Sequence, residues 1–303
     1  MKANSNVIVR PRTAGLLLGS LGVLGFSLSL PMTKVALTGL DPWFIAFGRS
    51  VGAGALALAY LVVTRARLPT GGQLRRLGVV AVGVVVGFPL FTSIGLTMQT
   101  SAHGAVVVTL LPAATAVLAV LRAGERPSPR FWLASAAGLV SVLAFVIISG
   151  AVRGGVSTAD LFFLAAVGFC ALGYAEGGML ARDLGGAQTI CWALIVALPV
   201  TVPVTTIVAL HAAAGPNRFP AEVTTTAWLS FAYLTTVSMF LGFIAWYAGL
   251  ARGGVARVGQ VQLAQPAVTI AWSALLLSEP IGALTVISAL AVLASVFATQ
   301  RAR

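Results

Sequence analysis

Residues 107–125 read VVTLLPAATAVLAVLRAGE, and residues 261–279 read VQLAQPAVTIAWSALLLSE. The two stretches lie 154 positions apart and align without a gap. Pro112, Ala113 and Thr115 fall on Pro266, Ala267 and Thr269, and Glu125 falls on Glu279. The same offset extends the match over 95–144 and 249–298, with Gly95-Leu96 on Gly249-Leu250, Ala102 on Ala256 and Ser141-Val142 on Ser295-Val296. Apolar helices resemble one another cheaply, because they draw on few residue types. A proline-to-glutamate spacing of 13 kept in both copies is harder to obtain that way. The pattern reads as an internal duplication.

The surroundings decide the solvent. Of 303 residues, 58% are hydrophobic and only 9% charged, against about 25% charged in soluble domains. Mean hydropathy is +0.99. Apolar runs fall at 13–37, 43–64, 77–98, 102–121, 131–150, 159–181, 189–211, 226–250, 255–277 and 281–299. Each is close to the roughly 20 residues that a helix needs to cross hydrocarbon. The expected fold is an all-α membrane protein of about ten transmembrane helices. Short loops leave no room for a soluble catalytic domain. The first run is preceded by Lys2, Arg10 and Arg12 but followed by no convincing cleavage site, so it reads as an uncleaved helix.

The net charge of +12 would suggest nucleic acid in a soluble chain. Here the cations gather at helix ends. With the N-terminus inside, the cytoplasmic positions hold Lys2, Arg10, Arg12, Arg65, Arg67, Arg75, Arg76, Arg122, Arg126, Arg130, Arg182, Arg252, Arg257, Arg301 and Arg303, and the outer loops only Arg153 and Arg218. Because Lys and Arg resist translocation, this asymmetry predicts an even number of spans and both termini cytoplasmic in a bacterial-type inner membrane. No nucleic-acid partner is expected. Cys170 and Cys191 lie in apolar runs and read as small buried hydrophobes.

Five runs precede the junction and five follow it, giving expected repeats at 13–150 and 159–299. An odd number of spans makes the second copy enter from the opposite face. Glu125 then lies inside and Glu279 outside, the arrangement of an inverted-topology repeat. In such architectures the substrate site sits near the midplane between the repeats.

At these residues the chain resembles a known family. Leu111-Pro112 through Gly124-Glu125-Arg126, with its copy Gln265-Pro266 through Ser278-Glu279-Pro280, is similar to the paired signature of EamA-type transporters of the drug/metabolite transporter superfamily. Asp41-Pro42 followed by Arg49 resembles the start of their second helix, and Asp160 the opening of their sixth. The resemblance implies ten helices in two five-helix repeats and, usually, efflux of amino acids, metabolites or drugs. Ser278 departs from the Gly124 of the first copy. Glu176 stands where a small or apolar residue would be expected.

Several side chains are candidates for substrate binding or coupling. Arg49, inside the second run, reads as a carboxylate anchor or gate partner of Asp41, or as a snorkelling cation. A charge there costs about 3 kcal/mol on insertion scales unless paired or wet. Lys34 reads as a second candidate, or as a snorkelling or ion-paired side chain. Glu176, in Gly173-Tyr174-Ala175-Glu176-Gly177-Gly178, reads as a proton-coupling or amine-binding acid, or as a carboxylate paired with Arg182 or another base. Tyr174, Trp246, Tyr247 and Trp272 are candidates to stack on an apolar substrate, or pack against lipid. Pro112 and Pro266 mark kinks placed alike in both repeats. Glu125 and Glu279 read as structural acceptors for the start of the next helix, where backbone N–H groups are free. His103 and His211 read as polar residues at outer helix ends.

No Gly-Lys-Ser/Thr phosphate loop and no His-Glu-x-x-His zinc motif occurs in the sequence. The function expected is secondary transport by alternating access, without ATP hydrolysis by this chain, with no cofactor and no metal. Proton coupling is the first expectation and uncoupled facilitation the second. Partners are a small-molecule substrate and membrane lipids, and the chain acts as a monomer or homodimer. A membrane-embedded enzyme and a non-transporting scaffold are the alternatives. A lipid product in a vesicle assay marks the first, and a stable partner without flux the second.

Overall fold

The computed structural model describes residues 11–148, 157–214 and 223–277, together with Leu290 and Ala294. Every regular element among them is helical. In the first half these are α1 (Pro11–Ser27), α2 (Ser29–Ala36), α3 (Arg49–Val63), α4 (Gly71–Val80), α5 (Phe88–Met98), α6 (Ser101–Val108), α7 (Leu111–Ala123) and α8 (Pro129–Ile148). The second half has α9 (Thr158–Leu184), α10 (Gly186–Ala214), α11 (Thr225–Tyr233), α12 (Gly242–Gly253), α13 (Val255–Gly259) and α14 (Gln265–Leu277). Wider π turns at Ala81–Gly87 and Leu234–Leu241 join neighbouring helices into longer rods, and one at Phe44–Gly48 extends the start of α3.

Six helices among the described residues are long and apolar enough to cross a membrane: Thr13–Ala36, Phe44–Val63, Gly71–Met98, Thr158–Leu184, Gly186–Ala212 and Thr225–Gly253. The expected ten spans are not confirmed by that count. Two of the apolar runs are broken rods. The fourth run divides into α6 and α7 around Thr109 and Leu110, just before Pro112. The ninth passes from α13 through a tighter 3₁₀ stretch, Gln260–Ala264, into α14. The fifth run forms α8, and the tenth lies outside the described residues apart from Leu290 and Ala294. One boundary also moves. The third rod begins at Gly71, within a stretch expected to be loop, because Thr70 and Gln73 cap each other's backbone N–H groups.

The duplication is legible in the backbone well beyond the matched sequence. Helices α4, α5, α6 and α7 start at 71, 88, 101 and 111, and α11, α12, α13 and α14 start at 225, 242, 255 and 265, each 154 positions later. Thr70 and Thr224, at the same offset, both cap the helix that follows through their hydroxyls. The π turns at Ala81–Gly87 and Leu234–Leu241 also match at that offset to within one residue. Such turns interrupt the regular ladder and commonly mark functional sites.

The repeats interlock. The first rod of each packs on the third rod of the other: α1 on α12, and α9 on α5 and the π turn before it. Small residues make the contact close. A Cβ added at Gly83 would lie 2.6 Å from the Phe169 carbonyl oxygen, and one at Gly249 would lie 2.7 Å from the Gly19 nitrogen. Hydrocarbon gives two apolar helices no hydrophobic reason to associate, so backbone approach and dispersion hold such crossings. The core runs continuously through both halves, from Val23 and Ala57 through Val84 and Tyr174 to Trp246 and Val258. Val62, Val63, Leu133, Leu210 and Leu229 point outward, as lipid-facing positions should.

Candidate functional site

Where the π turns and broken rods of the two repeats face each other, about 440 Å3 of empty space threads the side chains. Its lining is paired by the repeat. Val84 and Ser238 occupy equivalent positions, as do Val108 and Gln262, and Leu111 and Gln265. In every pair the first half contributes an apolar side chain and the second a polar one. Phe26, Phe243 and Tyr174 form an aromatic wall, with the Phe26 and Phe243 rings 4.9 Å apart. A smaller space of about 270 Å3 adjoins it, lined by both repeat prolines, Pro112 and Pro266.

Arg49 enters this cavity from the first turn of α3, directly after the π turn Phe44–Gly48. It is 3% exposed, and its Nε has no hydrogen-bond partner. No described carboxylate pairs with it: the described ion pairs join Arg76 and Arg122 to Glu176, and Arg182 to Glu125. An isolated guanidinium so placed costs several kcal/mol unless something in the cavity answers it. Asp41 does not do so. Its carboxylate accepts the backbone N–H groups of Trp43 and Phe44 at 2.7 and 3.2 Å, starting the second rod.

The second repeat brings amides to the same place. Gln262 Nε2 donates to the Tyr174 hydroxyl at 3.3 Å, while its Oε1 is buried without a partner. Gln260, just outside the cavity, is bonded at both ends of its amide: it accepts from Ser135 Oγ at 2.9 Å and donates to the Pro112 carbonyl at 3.4 Å. Ser238 and Ser29 share a hydrogen bond of 2.7 Å across the seam.

Carboxylates fasten the arginine-rich end, which carries residues 64–70, 123–128 and 182–186. Glu176 accepts from Arg76 Nε and from Arg122 Nη2, the latter at 2.9 Å. Its bases are therefore on α4 and α7, not Arg182. Glu125 accepts from the backbone N–H groups of Val255 and Ala256, each at 2.8 Å, and from Arg182 at 2.9 Å. The expectation that Glu125 would serve the next helix in the chain is corrected here. Gly124 adopts φ +63° and turns the chain back. Glu125 then meets the start of α13, in the other repeat, where Gly254 at φ +88° leaves the first N–H groups open.

The remaining candidates are distributed as follows. Trp246 stands behind the aromatic wall, fully buried against Tyr174 and Phe26, at 5.1 and 6.1 Å between ring centres. The Tyr247 hydroxyl donates to the Gly173 carbonyl at 3.1 Å, and Trp272 Nε1 to Ser27 Oγ at 3.1 Å. Lys34 Nζ donates to the carbonyls of Leu96 and Gln99, at 2.8 and 3.0 Å, and so closes the C-terminus of α5. Glu279 lies outside the described residues. Not singled out by the sequence were Phe26, Phe243, Ser238, Gln262, Gln265, Arg76 and Arg122. A position-by-position comparison at the 154-residue offset would have flagged Ser238, Gln262 and Gln265 as polar exceptions within apolar runs.

A sequence profile of the EamA-like transporter family matches residues 13–147 and again 157–300. The chain belongs to the EamA-like transporter family. Its two matched segments are the two repeats. It is also 44% identical over 289 residues, 95% of this chain and 98% of the other, to a Bacillus subtilis (strain 168) protein named "Uncharacterized transporter YdeK". A solved crystal structure superposes with a TM-score of 0.73 over 96% of this chain and 99% of that one, at 17% identity. At that identity the likeness shows the fold alone. As a member of the EamA-like family the chain is a multi-pass membrane transporter of small molecules.

Proposed function

We propose that this EamA-like protein is a secondary exporter of amino acids, small metabolites or drugs, working by alternating access with ten spans in two inverted five-span repeats. The observation that carries the reading is the seam cavity: its walls come from repeat-equivalent positions of both halves, and one end is fastened by side chains that cross between them. Two packed bundles related this way can rock about a central site and expose it to each face in turn. In this reading the arginine-rich end faces the cytoplasm of an inner membrane, which the cation asymmetry supports. Glu125 and Glu176 then hold the cytoplasmic side shut. Tied to two guanidinium groups, Glu176 serves closure in this reading, not proton transfer.

The test is flux in proteoliposomes holding the purified full-length chain, with a panel of amino acids and toxic analogues chosen from a resistance screen in overexpressing cells. Substrate-specific counterflow supports the reading. Its absence for every compound that confers a resistance difference would refute it. Comparing an imposed pH gradient with the substrate gradient alone separates proton-coupled export from facilitation, and Glu176→Gln is expected to leave any pH-driven component in place.

A further inference from the structure

We infer that Arg49 is the anion hook of the seam cavity, and that the substrate is an amphipathic organic monocarboxylate: an aliphatic or aromatic body with one carboxylate and no cationic group. Three observations converge. The guanidinium is 3% exposed, lines the cavity and keeps an unpartnered Nε. A planar fork of this kind matches a carboxylate with two parallel hydrogen bonds, which a single ammonium cannot do. Second, Arg49 is the only charged side chain among the described residues that line the cavity. An ammonium on the ligand would meet a like charge and find no carboxylate to replace its water. Third, the rest of the wall suits an uncharged body. Phe26, Phe243 and Tyr174 supply aromatic surface, and Gln262 and Ser238 supply neutral hydrogen-bonding groups.

The energetic logic is one of exchange. In the empty protein the guanidinium is buried without a counter-charge, an arrangement that bound anion relieves and bound cation worsens. A charge-assisted fork is worth at least about tenfold in affinity over a neutral amide of the same shape. This substrate class narrows the transporter reading, setting amino acids aside for their ammonium group, and rests on that reading for its physiological role, so binding and flux are measured separately.

The experiment uses the full chain in lipid nanodiscs and three ligands of nearly one shape: phenylacetate, phenylacetamide and phenethylamine. Equilibrium dialysis of the radiolabelled compounds gives the affinities. Phenylacetate is expected to bind at least about tenfold more tightly than the amide, with the amine weakest. Arg49→Gln should erase the preference for the acid and leave the amide's affinity within about threefold. Arg49→Lys, which keeps the charge but not the fork, should retain part of it. Should Arg49→Gln fail to give monodisperse protein, the wild-type order and Arg49→Lys still decide. Equal binding of acid and amide, a preference for the amine, or no phenylacetate binding at about 10 mM overturns the assignment. Binding in the expected order without flux in proteoliposomes keeps the carboxylate site and removes the transporter reading. Flux that prefers phenethylamine keeps the transporter and overturns the site.

Discussion

The two halves share a backbone and differ in what they turn toward each other. From Gly71 to Ala123 and from Thr225 to Leu277 the same caps, π turns and breaks recur at one offset. Yet at the seam the first half presents Val84, Val108 and Leu111, and the second presents Ser238, Gln262 and Gln265. Arg49 is the lone cation of the lining and comes from the first half. A symmetric scaffold with an asymmetric lining can rock between two faces while holding its ligand in one orientation. The mechanical part of the fold is thus duplicated, and the recognition part is not.

That contrast can be broken first at the end where the halves are fastened. Glu125→Ala removes two charge-assisted backbone bonds and one exposed ion pair. It should cost the closed state about 3 kcal/mol, a roughly 100-fold shift toward opening at the arginine-rich end. The rate at which a membrane-impermeant maleimide reaches Ser238→Cys from the cytoplasmic side reads that shift. Unchanged labelling would show that the carboxylate is not a fastener.

Making the lining symmetric sharpens the same contrast. Gln262→Val copies Val108 into the second repeat and removes a buried oxygen that has no partner. Burying an unsatisfied acceptor costs about 1–3 kcal/mol, so the variant should be more thermally stable by about 1 kcal/mol while substrate affinity falls. A variant that loses stability and keeps its affinity would place Gln262 in the packing and not in recognition.

Glu176→Gln should weaken closure less than Glu125→Ala does, by about 1 kcal/mol, because Arg76 and Arg122 are 36% and 47% exposed and solvent screens much of the attraction. The same maleimide assay ranks the two. Lys34→Met should have the smallest effect, about 0.5–1 kcal/mol of thermal stability from the uncapped end of α5, with flux unaltered. A marked loss of flux would return Lys34 to the substrate path.

Much of this scaffold was legible in the amino-acid sequence because Pro112, Glu125 and their copies recur at a fixed spacing, with a helix break just before each of the two prolines. The clustering of cations at loop ends supplies an orientation that the labelling below tests. The number of continuous rods was not, since hydropathy measures how apolar a run is and says nothing of a break inside it, as around Thr109 and at Gln260–Ala264. Nor could spacing reveal which face of an all-apolar helix meets the seam. Arg49 and Tyr174 proved to line the cavity, whereas Tyr247 and Trp272 are tied to Gly173 and Ser27. Glu125 was read as a cap, but its partner lies in the other repeat, a contact that arises only once the halves interlock.

The most direct measurement concerns the inversion itself. In a background with Cys170 and Cys191 replaced by Ala, single cysteines at Arg126 and at Pro280, equivalent positions beside the two repeat glutamates, are labelled with an impermeant maleimide from each side of oriented vesicles. The account predicts that Arg126→Cys reacts only from the cytoplasmic side and Pro280→Cys only from the outer side. Reaction of both from one side would contradict it.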